Sequence, residues 1–506
     1  MQGKKQYQEK LFINFQLSDR VPEDNFYRKL KETVDFNFLY KSTAEYYGRE
    51  GQKSIDPVVF IKLILVGYLE NLNSDRRIIN TVRLRLDILY FVGYDLDEEL
   101  PWHSTLSRTR QLYGQGVFLE IFKSILKQCI DKGMISGRRQ AVDGFFVKAN
   151  ASLDSMIERE ILDDADVYSE ELEANKEDEE SVVNINNDDF KNNGLKSKKN
   201  PHNKTHYSPS DPDAKMSVKP GKATALNYLG EVSVDTASHM ITHIQAFTSD
   251  KRDSQCLPEV IENVIENLNE SNLTVEEVIA DTGFSSGEAL KSLEENNIIG
   301  YIPNRAQFVY ERPGFTYNSE DDYYTCPNNK MLTCRGTHKD GEYFNKHYRA
   351  NKKDCNICPL RSKCLAYSKN RALIKDTIDR SYYVRMHQRM QTRKAKRLMK
   401  QRQSTAEPVI GTLVNYLGIK RVNTKGLVQA NKCLTIAAVA YNLKKLLKHT
   451  TRRVLANVQA LKKKSKQTNG ILLNALSAFK QAFATQYYFI RYGKFEILRD
   501  YLKTTF

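Results

Sequence analysis

Long apolar runs are missing from this chain. The densest, Phe60 to Leu69, contains Lys62 and falls far short of the roughly 20 residues that cross a bilayer, so no membrane span is expected. The first ten residues, Met1–Lys10, are polar and hold no apolar segment, which predicts no secretory leader. Cysteine is sparse, eight in 506 residues, and that excludes a disulfide framework of the small secreted kind. Tryptophan occurs once, as Trp102, and is expected to anchor a core rather than to touch a ligand.

What is present is positive charge and enough apolar content for real cores. Lysine and arginine number 77 against 62 acids, a formal net charge of +15, and 40% of the residues are hydrophobic. The length predicts two or three folded units, at roughly 100–200 residues each. The charge fits a polyanionic partner.

Residues 1–135 read as helices. Asp56-Pro57 supplies an N-cap and first position ahead of the apolar stretch Val58–Leu72. Ser74 opens an arginine-rich helix (Arg76, Arg77, Arg83, Arg85) reaching Gly93, and Ser104 caps another carrying Arg108 and Arg110. Val117, Phe118, Ile121, Phe122, Ile125, Leu126, Cys129 and Ile130 form one stripe at helical period, ended by Gly133. Short helices with exposed arginines suit a DNA-binding module, with Arg108 and Arg110 as candidates for base contact.

The pattern changes at Arg139. Gln140–Lys148 reads as a strand, as do Leu226–Val234 and Met240–Phe247. A helix is predicted over Leu257–Leu268, a short buried strand over Glu277–Ala280, a Ser286-capped helix to Glu295 and a strand over Ile298–Ile302. This places Asp281 at the carboxyl end of a strand, where open α/β sheets build their sites. Between the first two strands lies a charged insertion, 154–222. Asp154–Asp189 holds 15 acids against two bases, and Lys191–Lys222 holds eight lysines against two acids. Such blocks seldom build a core, and the segment is expected to be mobile.

Five of the eight cysteines, Cys326, Cys334, Cys355, Cys358 and Cys364, fall in the segment 306–370. Four thiolates at this spacing can close a structural zinc site, and reduced cysteines without metal are the alternative. The run Arg385, Arg389, Arg393, Lys394, Lys396, Arg397, Lys400 and Arg402 leads to Glu407-Pro408, which is expected to open a helix. Residues 451–506 are expected to form a basic, helical tail.

Two aspartates at the ends of neighbouring strands and a glutamate from a helix packed on the sheet can gather hard divalent cations for phosphodiester chemistry. Asp143, Asp281 and Glu407 occupy such settings, and the words around them carry a resemblance. Val142-Asp-Gly-Phe-Phe-Val-Lys-Ala-Asn150, Ile279-Ala-Asp-Thr-Gly-Phe-Ser-Ser-Gly287 and Glu407-Pro-Val-Ile-Gly411 surround the three acids. Ser54-Ile-Asp-Pro-Val-Val-Phe60, Ser74-Asp-Arg-Arg77, Phe91-Val-Gly-Tyr-Asp-Leu96 and His103-Ser-Thr-Leu-Ser107 precede them. Ser208-Pro-Ser-Asp-Pro-Asp-Ala214, Leu226-Asn-Tyr-Leu-Gly230 and Tyr441-Asn-Leu-Lys-Lys445 complete the series. Through most of residues 10–450 the chain resembles the bacterial DDE insertion-sequence transposases, in the branch with a helical N-terminal domain.

The resemblance implies an α/β, RNase H-like core (136–305 and 371–450) interrupted by insertions and preceded by an all-helical domain. It implies magnesium or manganese on Asp143, Asp281 and Glu407, cleavage and strand transfer at terminal inverted repeats, double-stranded DNA as partner, and a homodimer or larger assembly. A cytoplasmic, nucleoid-associated bacterial protein is the setting it implies. Two rivals share the features: a hydrolytic nuclease without strand transfer, and a non-catalytic DNA-binding derivative. Gly144 stands where the family often has serine or threonine, and Val414 where a phosphate-touching lysine is frequent. Lys420 or Arg421 is the nearest substitute, whereas Arg402 matches. Arg393, Lys394, Arg397, Arg402, Lys420 and Arg421 are therefore the candidate DNA contacts near the site.

Overall fold

The computed structural model describes residues 5, 16–48, 50, 54–158, 203–218, 223–305, 308–340, 343–364, 366–368 and 370–465. The chain divides into two units, Met1–Leu443 and Lys444–Phe506. Most of the charged insertion (159–202 and 219–222) and the tail beyond 465 lie outside the described residues.

The N-terminal region is all helical: α1 Leu17–Arg20, α2 Phe26–Thr33, α3 Phe38–Ser42, α4 Pro57–Leu69, α5 Asp75–Leu84, α6 Leu86–Val92, α7 His103–Leu112 and α8 Gln115–Asp131. Asp56 caps α4 by accepting the Val58 and Val59 amides at 2.7 and 3.0 Å. Phe60, Ile61, Leu63, Leu65 and Val66 are buried around its circumference, as expected of a helix enclosed by others. The helix predicted from Ser74 to Gly93 is broken at Arg85. There the backbone turns extended, and the guanidinium pairs with Glu70 at 2.8 Å and Asp87 at 2.6 Å. Gly93, at φ 102°, ends α6 in the left-handed region that glycine alone enters cheaply. Ser104 lies inside α7 rather than capping it.

A mixed α/β core follows, with a curled, RNase H-like half-barrel sheet. Its elements are β1 Arg139–Lys148, β2 Ile157–Glu158, β3 His206–Tyr207, β4 Lys215–Ser217, β5 Ala225–Asp235, β6 Ile241–Thr248, α9 Asp253–Asn269, β7 Glu277–Ile279, α10 Gly287–Glu295 and β8 Ile299–Tyr301. β1 lies between antiparallel β5 and parallel β7, and β8 continues beyond β7. The far edge of β5 is shared: Ala225–Asn227 pair with β4, and Tyr228–Val234 with β6.

The cysteine-rich segment folds as a second, antiparallel sheet. It comprises β9 Thr316–Asn318, β10 Tyr323–Thr325, β11 Met331–Asp340, β12 Tyr343–Arg349, the short α11 Lys352–Asn356, β13 Tyr367–Ser368 and β14 Arg371–Thr377, in the order β13-β14-β12-β11-β10-β9. Arg371–Thr377 is a strand because its alternate residues Ala372 and Ile374 fill this sheet's small core.

Three helices close the fold: α12 Arg380–Met390, α13 Arg393–Tyr416 and α14 Leu427–Ser465. α13 crosses the first sheet over β1, β5, β7 and β8. It buries Ala395, Leu398, Arg402, Thr405, Ala406, Val409 and Leu413, one stripe at helical spacing. From α14, Asn431 and Asn442 each bond twice to the edge strand β6: to Ala246 N and O at 2.7 and 3.2 Å, and to Ile241 N and O at 3.0 and 2.9 Å. They stand in for a missing strand on that edge, whose peptide groups would otherwise be buried unpaired.

Candidate active site and nucleic-acid contacts

Asp143 lies mid-way along β1 and is almost fully buried. Its Oδ1 accepts the Gly144 amide at 3.0 Å, and its Oδ2 accepts Arg402 Nη1 at 2.9 Å. Burial pushes its carboxyl up to about 6; Arg402 opposes that push, and the nearby charges of Asp281 and Glu407 add to it. Asp281 sits just past the end of β7 and accepts the Gly283 amide at 2.7 Å, capping the tight turn Thr282–Phe284. Glu407 projects from α13, half exposed, with Oε1 3.8 Å from Arg402 Nη2. The fold thus brings Asp281 and Glu407, distant in sequence, within electrostatic reach of Asp143, and sets Asp143 and Glu407 on one guanidinium.

Glu407-Pro408 does not open a helix; it lies in the middle of α13. Pro408 has no amide to give the Ser404 carbonyl, but Ser404 is exposed, so water can take that carbonyl and the helix runs on.

As they stand, no three His, Cys, Asp or Glu among the described residues are arranged to hold a metal ion. The donor chemistry nevertheless fits a hard divalent cation. The acids offer oxygen only, and they repel one another except for what Arg402 neutralises.

Cys326, Cys334, Cys355 and Cys364 pack against one small core of Tyr324, Leu332, Tyr348, Ala350, Ala372 and Ile374. Ala372 N–H donates to Cys355 Sγ at 3.4 Å and Asn328 Nδ2 to Cys358 Sγ at 3.6 Å. All five thiols are free and partly buried.

The basic candidates divide. Arg393 and Arg397 are exposed on α13, and Lys420 and Arg421 are exposed beyond it; Arg421 donates to Asn150 Oδ1 at 2.8 Å. Lys394 instead pairs with the buried Glu277, which Arg139 also holds. Arg108 is exposed and reaches Ser104 Oγ at 3.3 Å. Arg110 is a correction: it is buried in a two-pronged pair with Asp75, at 2.7 and 3.1 Å, and its carbonyl accepts Lys432 Nζ at 3.0 Å. It faces the interior because α5 and α7 pack together there. Trp102 is a second correction. It is 70% exposed, stacked on His103 with ring centroids 5.3 Å apart.

Residues 15–112 match the family model described as Transposase domain (DUF772), and residues 325–447 match the Transposase DDE domain. The chain has family-level similarity to DDE transposases. The second match contains Glu407; Asp143 and Asp281 lie outside both. No curated protein matches the chain. Among solved structures, a piggyBac transposase synaptic complex with hairpin DNA aligns over 85% of this chain and 77% of its own, at 9% identity and a TM-score of 0.32. A Mos1 transposase paired-end complex with the left transposon end aligns over 54% and 67%, at 9% identity and a TM-score of 0.16. Likeness at that level carries no residue assignment. Among the described residues no helix is long and apolar enough to cross a membrane.

Proposed function

We propose that this chain is the transposase of a bacterial insertion sequence, binding the element's terminal inverted repeats and catalysing metal-dependent cleavage and strand transfer. The observation that carries the reading is the gathering of Asp143, Asp281 and Glu407 from a central strand, a neighbouring strand end and a crossing helix. Asp143 and Asp281 would hold magnesium or manganese and Glu407 would complete the site. Bound as a pair, such ions activate the attacking oxygen and stabilise the leaving one.

Arg402 holds Asp143 in place and neutralises part of the cluster. The exposed Arg393, Arg397, Lys420 and Arg421 lie along the path of the phosphate backbone, and Arg108 on the helical domain reads bases. Cleavage frees a 3′ hydroxyl, which is joined to a second DNA. Joining two ends requires more than one active site, hence a homodimer or larger assembly on DNA. The cysteine-rich sheet holds zinc, and the protein works in the bacterial cytoplasm on the nucleoid.

The test uses the full chain and a duplex bearing the inverted repeats found beside its coding sequence. With magnesium, the wild type nicks the repeat end and transfers it to a second duplex. Asp143→Asn, Asp281→Asn and Glu407→Gln do neither, while each still binds the repeat. Nicking at wild-type rate by any of the three removes that residue from the site, and nicking without transfer makes the chain a nuclease.

A further inference from the structure

Two more acids stand against the three already described. Glu231, on β5, is the register partner of Gly144, the residue after Asp143. It is fully buried, and neither carboxyl oxygen accepts a hydrogen bond from an N–H or O–H among the described residues. Its neighbour is another carboxyl, Asp253, the first residue of α9. A buried carboxyl facing a second one costs several kcal/mol of desolvation and repulsion unless a proton or a cation neutralises one of them.

Two glycines show where Asp253 points. A Cβ on Gly144 would stand 2.9 Å from Asp253 Oδ1 and 3.1 Å from Glu231 Oε1. A Cβ on Gly283 would stand 2.7 Å from Asp253 Oδ2 and 2.9 Å from Asp281 Oδ1. Neither glycine has a positive φ, so the backbone alone would accept another residue; the space would not. Asp253 therefore lies with one oxygen over the residue following Asp143 and the other beside the Asp281 carboxylate. The departure at position 144, glycine in place of a hydroxyl residue, makes room for this carboxylate.

We propose that Asp253 is a fourth carboxylate of the divalent-metal site, and that Glu231, packed behind it, is its positioning residue. The inference rests on the metal-site reading above. It assigns the first turn of α9 to the active site, and it gives the buried Glu231 a cation to face across Asp253. The competing role for Asp253 is an acid favouring a helix N-terminus. Asparagine would leave the turn's hydrogen bonding largely intact, so that role predicts at most a small change in melting temperature and none in metal affinity.

Isothermal titration of Mn²⁺ into the full chain without DNA tests this. Asp253→Asn is expected to weaken binding about 10–100-fold, the range that loss of a supporting group at a metal site commonly costs. Asp250→Asn, on the exposed loop before α9, should leave it unchanged. Gly144→Ala removes no carboxylate but displaces Asp253, and should weaken Mn²⁺ binding about tenfold. Glu231→Ala should do the same, and Glu231→Gln, which refills the space with a polar group, should restore most of the loss. If the wild type and Asp143→Asn take up Mn²⁺ equally, or neither does, the metal-site reading itself fails. If Asp143→Asn loses binding while a folded Asp253→Asn and Gly144→Ala keep wild-type affinity, only the present inference is overturned.

Discussion

Arg402 Nη1 meets Asp143 Oδ2 at 2.9 Å, joining the helix that carries Glu407 to the strand that carries the first aspartate. Both side chains are nearly buried, so the pair is more than a surface contact. Arg402 is the counter-ion of Asp143 and Glu407, a role that a bound metal would take over. Removing one member of a buried pair strands the other, typically at about 3–5 kcal/mol; here Asp143 can take up a proton, so Arg402→Gln should cost at the lower end, about 3 kcal/mol. Urea denaturation measures this. Saturating Mn²⁺ should then raise the melting temperature of Arg402→Gln more than that of the wild type. An equal rise in both would show that guanidinium and metal do not share Asp143.

The pH dependence follows from the same residue. The Asp143 carboxyl lies at about 6 in the folded chain against an ordinary 3.8. The folded state therefore holds this proton more tightly than the unfolded state does. Its contribution to stability is complete below about pH 4 and is lost as pH rises through 6. The shift corresponds to on the order of 3 kcal/mol. Metal-free wild type should lose that much more stability than Asp143→Asn between pH 4 and 7, read as the difference between two denaturation series. Parallel series would mean that Asp143 titrates normally.

Arg108 and Arg110 are two residues apart and should behave oppositely. Arg110 is buried against Asp75, so Arg110→Ala should destabilise the chain by about 3–5 kcal/mol. Arg108→Ala should alter stability by less than about 0.5 kcal/mol while relaxing discrimination between repeat and scrambled DNA. Its loss from a guanine contact would amount to about 1–3 kcal/mol. Fluorescence anisotropy at one salt concentration, beside a thermal melt, separates the two. Unchanged discrimination in a folded Arg108→Ala would take base reading away from α7.

Much of the fold could be read locally. The α8 stripe, the Asp56-Pro57 start, β1, the β5–β6 pair and the Ser286 cap each announce themselves within a few residues by period or capping chemistry. The breaks at Arg85 and the continuity through Pro408 were not legible, because each depends on a partner elsewhere: Glu70 for one, and solvent at Ser404 for the other. The antiparallel sheet around the cysteines was missed because its strands are short and its tyrosine core, Tyr324 and Tyr348, assembles only across strands. At the site, Asp143, Asp281 and Glu407 stood in distinctive words. Glu231 and Asp253 did not, since their meaning comes from the β1–β5 register that sets Glu231 opposite Gly144.

The cysteine-rich sheet should carry about one zinc ion per chain. Its core of six residues is small for a free-standing sheet, and units of that size commonly depend on a staple. The N–H groups of Ala372 and Asn328 already point at the Cys355 and Cys358 sulfurs. Elemental analysis of protein purified without added zinc should find the metal. Cys355→Ser with Cys358→Ser should lose it, together with amide protection over 316–377. A zinc-free wild type with that sheet fully protected would rule the site out.

Trp102 offers the last test. A core anchor would be buried, yet this ring is 70% exposed and stacks on His103 at the start of α7. Burying little, it should contribute little to stability, and Trp102→Ala should stay within about 0.5 kcal/mol of wild type. A flat aromatic surface at the start of the helix that carries Arg108 is instead suited to stack on an unpaired base or on a sugar, contacts worth about 1–3 kcal/mol per base. Such contacts matter where a strand end is frayed. Trp102→Ala should therefore weaken binding to a pre-nicked or frayed repeat end more than to an intact duplex, with Trp102→Phe intermediate. Tryptophan fluorescence supplies a direct reading, since this is the only tryptophan in the chain. Quenching on adding frayed DNA and none with intact duplex supports stacking, whereas an unquenched signal together with unchanged affinity would leave the ring with no part in DNA binding.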